Sequence, residues 1–336
     1  MEIKSLKKNL KHSLNNKERF ALINVANIRS SLLCNNLVTS ADSFAKFADQ
    51  TQGIPILIPA DKKLFLFEQK DVFILPKEQV LKTVYNLSDE TYAGFKHAFN
   101  QFTFLTNFKV KETFQFYVEK LVKQNLDTVA YVTSLKKKFK YVGAFQTRNI
   151  PHFGHERIIQ RMLEFCDHVV VNPVIGPKKK GDVSIECLKD VFTYLTKYKY
   201  QGKISFKPIF ANMFYAGPRE AMHHALMRQR MGFQHFTVGR DHAGAENAYE
   251  ANMAAKFIKK SENKLKIDVM LHKGAVFCRQ CKEVILIDDC DHPSEVMMDI
   301  SGTDFRSSIM AERLFNLADK EMQTYLFKNN RDIFEK

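Results

Sequence analysis

From residue 140 onward, short apolar runs alternate with segments of helical periodicity, and this alternation constrains the fold more than any other feature. Runs at 141–145, 168–171, 204–210, 235–238 and 267–271 have strand length and are rich in β-branched and aromatic residues. Between them, 154–166, 184–198, 218–231 and 245–260 repeat apolar residues at helical spacing. Strands joined by helical crossovers run parallel, so the expectation is an α/β fold with a doubly wound parallel sheet. Ligands of such sheets bind beyond the carboxyl ends of the strands. The polar loops fall there: 146–155 after the first strand, 172–181 after the second, 212–220 after the third and 239–244 after the fourth.

The first loop is the most informative. Gly143, Ala144 and Phe145 are small or apolar, and the next four residues, Gln146, Thr147, Arg148 and Asn149, are dense in hydrogen-bonding groups. His152-Phe-Gly-His155 then opens a helix with Ile158, Ile159, Met162, Leu163 and Cys166 on its apolar face. Free N–H groups and the dipole at a helix N-terminus favour anions, and this spacing lets two imidazoles face one bound group while Gly154 permits close approach. Gly239-Arg-Asp-His-Ala-Gly244 adds a cation, a carboxylate and an imidazole, and Tyr215-Ala-Gly-Pro-Arg-Glu-Ala221 lies on the same predicted rim. Three polar, glycine-containing loops on one rim point to an anion site. Within it, Asp241 is either a ligand or the partner that orients Arg240. Arg219 either faces phosphates or pairs with a helix carboxylate, while His223 and His224 suit packing or capping. Lys178-Lys-Lys180 reads equally as a solvated loop or a lid.

The chain has 336 residues, enough for two domains and a small appended module. Residues 1–135, with apolar runs at 54–59, 64–67 and 72–75, read as a β-rich domain, with helical spacing at 113–123. The basic run 135–140 reads as a solvated linker. A net charge of +14 calls for anionic partners, but no nucleic-acid-binding motif accompanies it, so small phosphate-bearing substrates are expected rather than nucleic acid. Neither a membrane span nor a secretory signal is evident, which predicts a cytoplasmic protein with reduced thiols. Cys34, Cys166 and Cys187 read as structural. Cys278-Arg-Gln-Cys281, followed by Cys290-Asp-His292, has the spacing of a closed tetrahedral Zn2+ site within a hairpin at 278–292. His292 is the expected fourth ligand, with Asp288, Asp289 and Asp291 as alternatives.

Together, Gln146-Thr-Arg-Asn149 with His152 and His155, Lys180-Gly-Asp182, Ala216-Gly-Pro-Arg-Glu220 with His224, and Gly239-Arg-Asp-His-Ala-Gly244 resemble the ATP sulfurylase (sulfate adenylyltransferase) family within the HxGH nucleotidylyltransferase superfamily. The resemblance is specific over about 140–250 and extends weakly to 300–306. It implies a Rossmann-like catalytic domain at 136–298, preceded by a PUA-like domain at 1–135 and followed by a small helical segment at 299–336. It further implies transfer of the adenylyl group of ATP, bound with Mg2+, to sulfate, giving adenosine phosphosulfate and pyrophosphate, or the reverse. Gln146, Arg148 and Ala243 would hold sulfate. Thr147, Arg148, Asn149, His152 and His155 would serve catalysis, and Gln146, Asn149, His152, His155, Gly239, Arg240, Asp241, His242 and Val276 the nucleotide. A homodimer and the absence of a fused kinase domain are also expected. Three departures stand out: Ile150 precedes Pro151, Phe214 stands where an arginine is common, and the continuation after Gly244 is short. Phe214 and the short loop motivate one alternative, an enzyme for another oxyanion or nucleotide; a nucleotide-binding protein without catalysis is the other, disfavoured by the intact motifs.

Overall fold

The computed structural model describes residues 14–32, 38, 40–60, 66–99, 102–177, 181–240, 242–243, 248–329 and 332–335. Cys34, Lys178, Lys179, Lys180, Asp241 and Gly244, named above, lie outside them. The first third comprises α1 (Asn16–Arg29), α2 (Ala41–Thr51), β1 (Phe67–Ile74), α3 (Lys77–Val80), α4 (Ala93–Ala98), β2 (Thr103–Val110) and α5 (Glu112–Lys136). It is more helical than the β-rich reading. In the run 54–59, Pro55 and Pro59 cannot donate ladder hydrogen bonds, and the segment makes only an isolated bridge from Pro59 to Phe104, although Ile54 and Ile58 are buried.

The expected linker is also different. Val118, Leu121, Val132 and Leu135 continue one buried stripe along α5, so the helix runs to Lys136. Phe139 stacks on His168 with ring centroids 5.0 Å apart. Residues 135–140 are therefore docked, with the lysines facing solvent and the apolar members facing the core.

All five expected strands form one parallel sheet. They are β3 (Val142–Phe145), β4 (His168–Val171), β6 (Ile204–Phe206), β8 (His235–Val238) and β9 (Asp268–Leu271), in spatial order β6-β4-β3-β8-β9. The expected strand 204–210 is split at Pro208, and β7 (Ile209–Phe210) pairs instead with β5 (Val174–Ile175). The crossover helices are α6 (Phe153–Met162), α7 (Ile185–Tyr198), α8 (Gly217–Met231) and α9 (Met253–Lys260). The strand order reverses between β3 and β8, and the crevice at such a reversal is where open α/β sheets bind ligands.

A three-stranded antiparallel sheet follows, with β11 (Glu283–Leu286) and β12 (Met297–Asp299) flanking β10 (Ala275–Cys278); the described chain then adds α10 (Gly302–Met310) and α11 (Lys320–Asn329). Two apolar cores sandwich the parallel sheet. One joins Phe44, Tyr85 and Phe104 of the first third to Met222, Met227 and Phe236. The other joins Ile159, Val171 and Phe192 to Phe305, Met322 and Leu326. No helix among the described residues is long and apolar enough to cross a membrane.

Candidate active site and metal centre

The loop after β3 enters α6 through a cap made by the two histidines. His152 is the N-cap, its Nδ1 accepting from Gly154 N at 3.1 Å, while His155 Nδ1 accepts from His152 N at 3.3 Å. Both Nδ1 atoms act as acceptors, so the neutral rings carry their protons on Nε2. Burial holds His152 near 4 and His155 well below the usual imidazole value, the latter also repelled by His152. The histidines thus offer two N–H donors at a helix N-terminus. The rings lie 4.0 Å apart. Ile150, the extra residue before Pro151, is buried in the second core, which leaves the histidine pair in register with the helix start.

Beside this cap opens a cleft of about 410 Å³. Of the expected nucleotide residues, Gln146, Asn149, His155, Gly239, Arg240, His242 and Val276 line it. Thr147 is buried alongside, its Oγ1 accepting from Asn149 N at 3.2 Å. Thr237, His272, Lys273 and Asp299 also line the cleft. The sequence reading missed them because they lie at the ends of β8, β9 and β12 without a glycine-rich signature. Gly239 has a steric basis: a Cβ there would lie 2.9 Å from His272 Cε1. His272 Nδ1 accepts from Gly274 N, so its neutral ring also keeps the proton on Nε2. Arg240 lies 3.9 Å from Asp299 across the cleft.

Arg148 is not among the residues that line this cleft. Its Nη1 donates to Tyr215 Oη at 3.3 Å and its guanidinium lies 5.6 Å from that ring's centroid. Tyr215 has φ +56°, an uncommon backbone state for a bulky residue. The Glu220 carboxylate braces it, accepting from Phe214 N at 2.8 Å and Ala216 N at 2.9 Å. Gly217 (φ +48°) donates from N to Ala243 O at 3.2 Å, tying this loop to the one after β8. A Cβ on Gly217 would lie 2.5 Å from the Tyr249 ring, so close approach as well as φ requires glycine.

Phe214 points into the first core, edge-on to Phe20 at 5.7 Å, and leaves the rim without the cation common at that position. Arg219 donates to Ala48 O at 2.8 Å and Gly53 O at 3.3 Å, tying α8 to the end of α2, where the helix carboxylate of Asp49 acts on its charge.

Beneath the rim lies a polar stripe of α8. Glu220, His224 and Arg228 recur every four residues and are fully buried. Burial pushes the Glu220 carboxyl up to about 7, against backbone N–H groups that pull the other way. Burial first, and then the Arg228 cation, hold His224 well below the ordinary imidazole value and His242 near 3. Arg228 Nη2 donates to Asn172 O at 2.8 Å, placing a desolvated positive charge under the anion-facing edge.

Cys278, Cys281, Cys290 and His292 converge as the sequence predicted. Sulfur–sulfur separations of 3.8 and 3.9 Å and sulfur–Nδ1 separations of 3.3, 3.4 and 3.4 Å define a compact tetrahedron. An ion bound by thiolates at ~2.3 Å needs sulfur–sulfur edges of about 3.8 Å, so the donor set fits a closed metal site. Asp288 instead receives Lys273 N at 2.8 Å, and Asp289 pairs with Arg157 at 3.4 Å and Arg161 at 3.7 Å on α6. The hairpin is therefore fastened to the helix that carries the histidine cap. Cys166 and Cys187 are buried in the second core, as expected.

These elements define a mixed α/β protein whose parallel sheet carries an anion-suited cleft at its carboxyl edge. The sequence model of the ATP-sulfurylase family matches residues 127–316. Similar proteins include the sulfate adenylyltransferases of Ignicoccus hospitalis (40% identical over 176 residues; 52% of this chain, 46% of that one), Thermococcus onnurineus (33% over 244; 72% and 64%) and Persephonella marina (30% over 284; 82% and 69%). The chain belongs to the ATP-sulfurylase family. It spans 46% of the Ignicoccus relative and 64% of the Thermococcus relative. A hexameric APS kinase from Thiobacillus denitrificans shares the fold, with TM-score 0.60, 12% identity, and coverage of 97% of this chain and 65% of that one.

Proposed function

We propose that the protein is a sulfate adenylyltransferase, joining ATP and sulfate to adenosine phosphosulfate and pyrophosphate, or running the reverse. The observation that carries this reading is the convergence of Gln146, Asn149, His155, Gly239, Arg240 and His242 on one cleft where the strand order reverses, in a chain of this family. A sulfate oxygen attacks the α-phosphorus in line. The new bond joins that oxygen to phosphorus, and the bond to the bridging oxygen of pyrophosphate breaks. Because no protein nucleophile is needed, positioning and charge stabilisation supply the catalysis. Arg148, Gln146 and the backbone of Ala243 hold sulfate. Thr147 and Asn149 set the phosphates, while the Nε2–H groups of His152 and His155 stabilise charge growing on the leaving pyrophosphate. Residues 239–242 and Val276 hold the nucleoside. Magnesium enters with the nucleotide and neutralises phosphate charge.

The burial of Phe214 supports a second reading, in which another oxyanion is the acceptor. Pyrophosphate release measured across a panel of oxyanions separates the two: sulfate giving the highest kcat/KM supports the first, and a preferred alternative ion replaces it. The first third, read from sequence as PUA-like, is proposed to buttress α8. The chain is also proposed to act as a cytoplasmic homodimer.

Zinc is the proposed ion of the Cys278, Cys281, Cys290 and His292 site, because three thiolates and one imidazole leave no open position and suit a structural ion. Ala275 and Val276 of β10, Ile287 and Asp299 all line the nucleotide cleft, so the metal site stiffens its wall. Stripping the metal with a strong chelator is expected to remove one zinc per chain and lower Tm by at least about 5 °C. It is also expected to weaken nucleotide binding. Elemental analysis and calorimetry check this, and an unchanged Tm after complete removal would refute a structural role.

A further inference from the structure

We propose that Glu220 and His224 are positioning residues that hold the oxyanion ligands Gln146 and Arg148 in place from beneath. The inference rests on the functional reading above and assigns roles to two residues that touch neither substrate.

Each arm begins at the Glu220 carboxylate. In the first, Glu220 accepts from Phe214 N and Ala216 N and fixes the backbone between them. That backbone holds Tyr215 at φ +56°, where its hydroxyl receives Arg148 Nη1 at 3.3 Å. In the second, Glu220 Oε1 lies 3.5 Å from His224 Nε2, which makes no hydrogen bond, so the carboxylate acts on the ring through its charge and favours the tautomer with the proton on that nitrogen. His224 Nδ1 is then an acceptor. Gln146 Nε2 at 3.3 Å and His242 Nε2 at 3.0 Å share its single lone pair. An amide side chain is nearly symmetric in shape, so its orientation is set by its partner. With one N–H engaged by His224, the second N–H of Gln146 is available to an anion, in reach of the same rim as Arg148. The inner members are buried: Glu220 and His224 are 0% exposed, so water cannot replace a partner lost there.

The test uses His224→Leu, which removes the acceptor, and His224→Asn, whose Oδ1 takes the place of Nδ1. Tyr215→Phe interrogates the other arm. In full-length protein, His224→Leu is expected to raise the sulfate KM about twentyfold, as befits loss of a buried hydrogen bond, and to raise the ATP KM much less, by about threefold at most, because His242 shares the same nitrogen. His224→Asn should return the sulfate KM to within about threefold of wild type, and Tyr215→Phe should raise it about fivefold. A merely structural histidine would lower sulfate and ATP binding together and would not distinguish Leu from Asn; that result overturns the proposal. Should His224→Leu fail to fold, the contrast passes to His224→Asn and Tyr215→Phe. A poor sulfate KM in the first or a normal one in the second is then decisive against it.

A wild-type protein that releases no pyrophosphate with sulfate defeats the functional reading, and positioning is then read by NMR. The Gln146 side-chain amide signals must shift in His224→Leu and return in His224→Asn. Signals that do not move defeat the positioning as well.

Discussion

Arg148→Ala is expected to lower the rate of sulfate-dependent pyrophosphate release by at least about a hundredfold, equivalent to about 2.7 kcal/mol of lost charge stabilisation. The guanidinium is exposed at the end of β3 and uses one nitrogen on Tyr215, leaving further donors of its planar fork for a tetrahedral oxyanion. Lysine at this position would restore charge but not the fork, so Arg148→Lys should recover only a small part of the loss. His152→Ala would be a less discriminating variant, because His152 also caps α6. Steady-state kinetics with saturating MgATP check the prediction. An Arg148→Ala rate within threefold of wild type would remove Arg148 from the site.

The second large effect is acid lability. Desolvation by burial lowers His152 and His272 to about 4 and His223 and His242 to about 3, and holds His155 and His224 well below their usual value. Between those values and the ordinary imidazole value near 6.5, the unfolded chain binds more protons than the folded one. The stabilisation from these depressed groups is therefore complete above about pH 6.5 and is lost as pH falls below it. Each histidine contributes about 1.4 kcal/mol per pH unit until its folded value is reached.

Glu220 works in the opposite sense. Its folded value, raised to about 7, makes its contribution largest at low pH and lost as pH rises through about 7. Glu156, raised by burial despite its contact with Lys199, acts in the same direction. The histidines outnumber these carboxyls. Lowering the pH from 6.5 to 5.5 should thus cost several kcal/mol, a large share of the roughly 5–15 kcal/mol that holds a typical domain folded. Calorimetry should show a steep fall in Tm over this interval with net proton uptake on unfolding. A Tm that stays level between pH 7 and 5 would show that these imidazoles are not buried and neutral.

Period and punctuation in the sequence located the parallel sheet because each strand is short, apolar and followed by a polar loop. The cysteine spacing located the metal site for an equally local reason. The finer packing was hidden. The strand 204–210 looks continuous until Pro208 is denied a sheet partner, and 135–140 looks like a linker because its lysines conceal the spacing of Leu135 and Phe139. The contact between Gln146 and His224 spans 78 residues and has no local signature. One signal was nevertheless present. Glu220, His224 and Arg228 recur at intervals of four among Ala221, Met222, Ala225 and Met227, a polar stripe bordered by small and apolar residues. Such a stripe marks a buried network rather than a solvated face. Phe214, conspicuous as a departure in the loop, proved to be a core residue.

The most direct measurement is the fate of MgATP incubated with the pure full-length protein and sulfate, with nucleotides separated by chromatography and pyrophosphate assayed in the same samples. Adenosine phosphosulfate and pyrophosphate should appear in equal amounts, only when sulfate is present, and adenosine phosphosulfate with pyrophosphate should regenerate ATP. Active pyrophosphate detection with neither product in the forward direction, and no ATP in the reverse, would contradict the assignment of Gln146–His155 as a sulfate-adenylylating site.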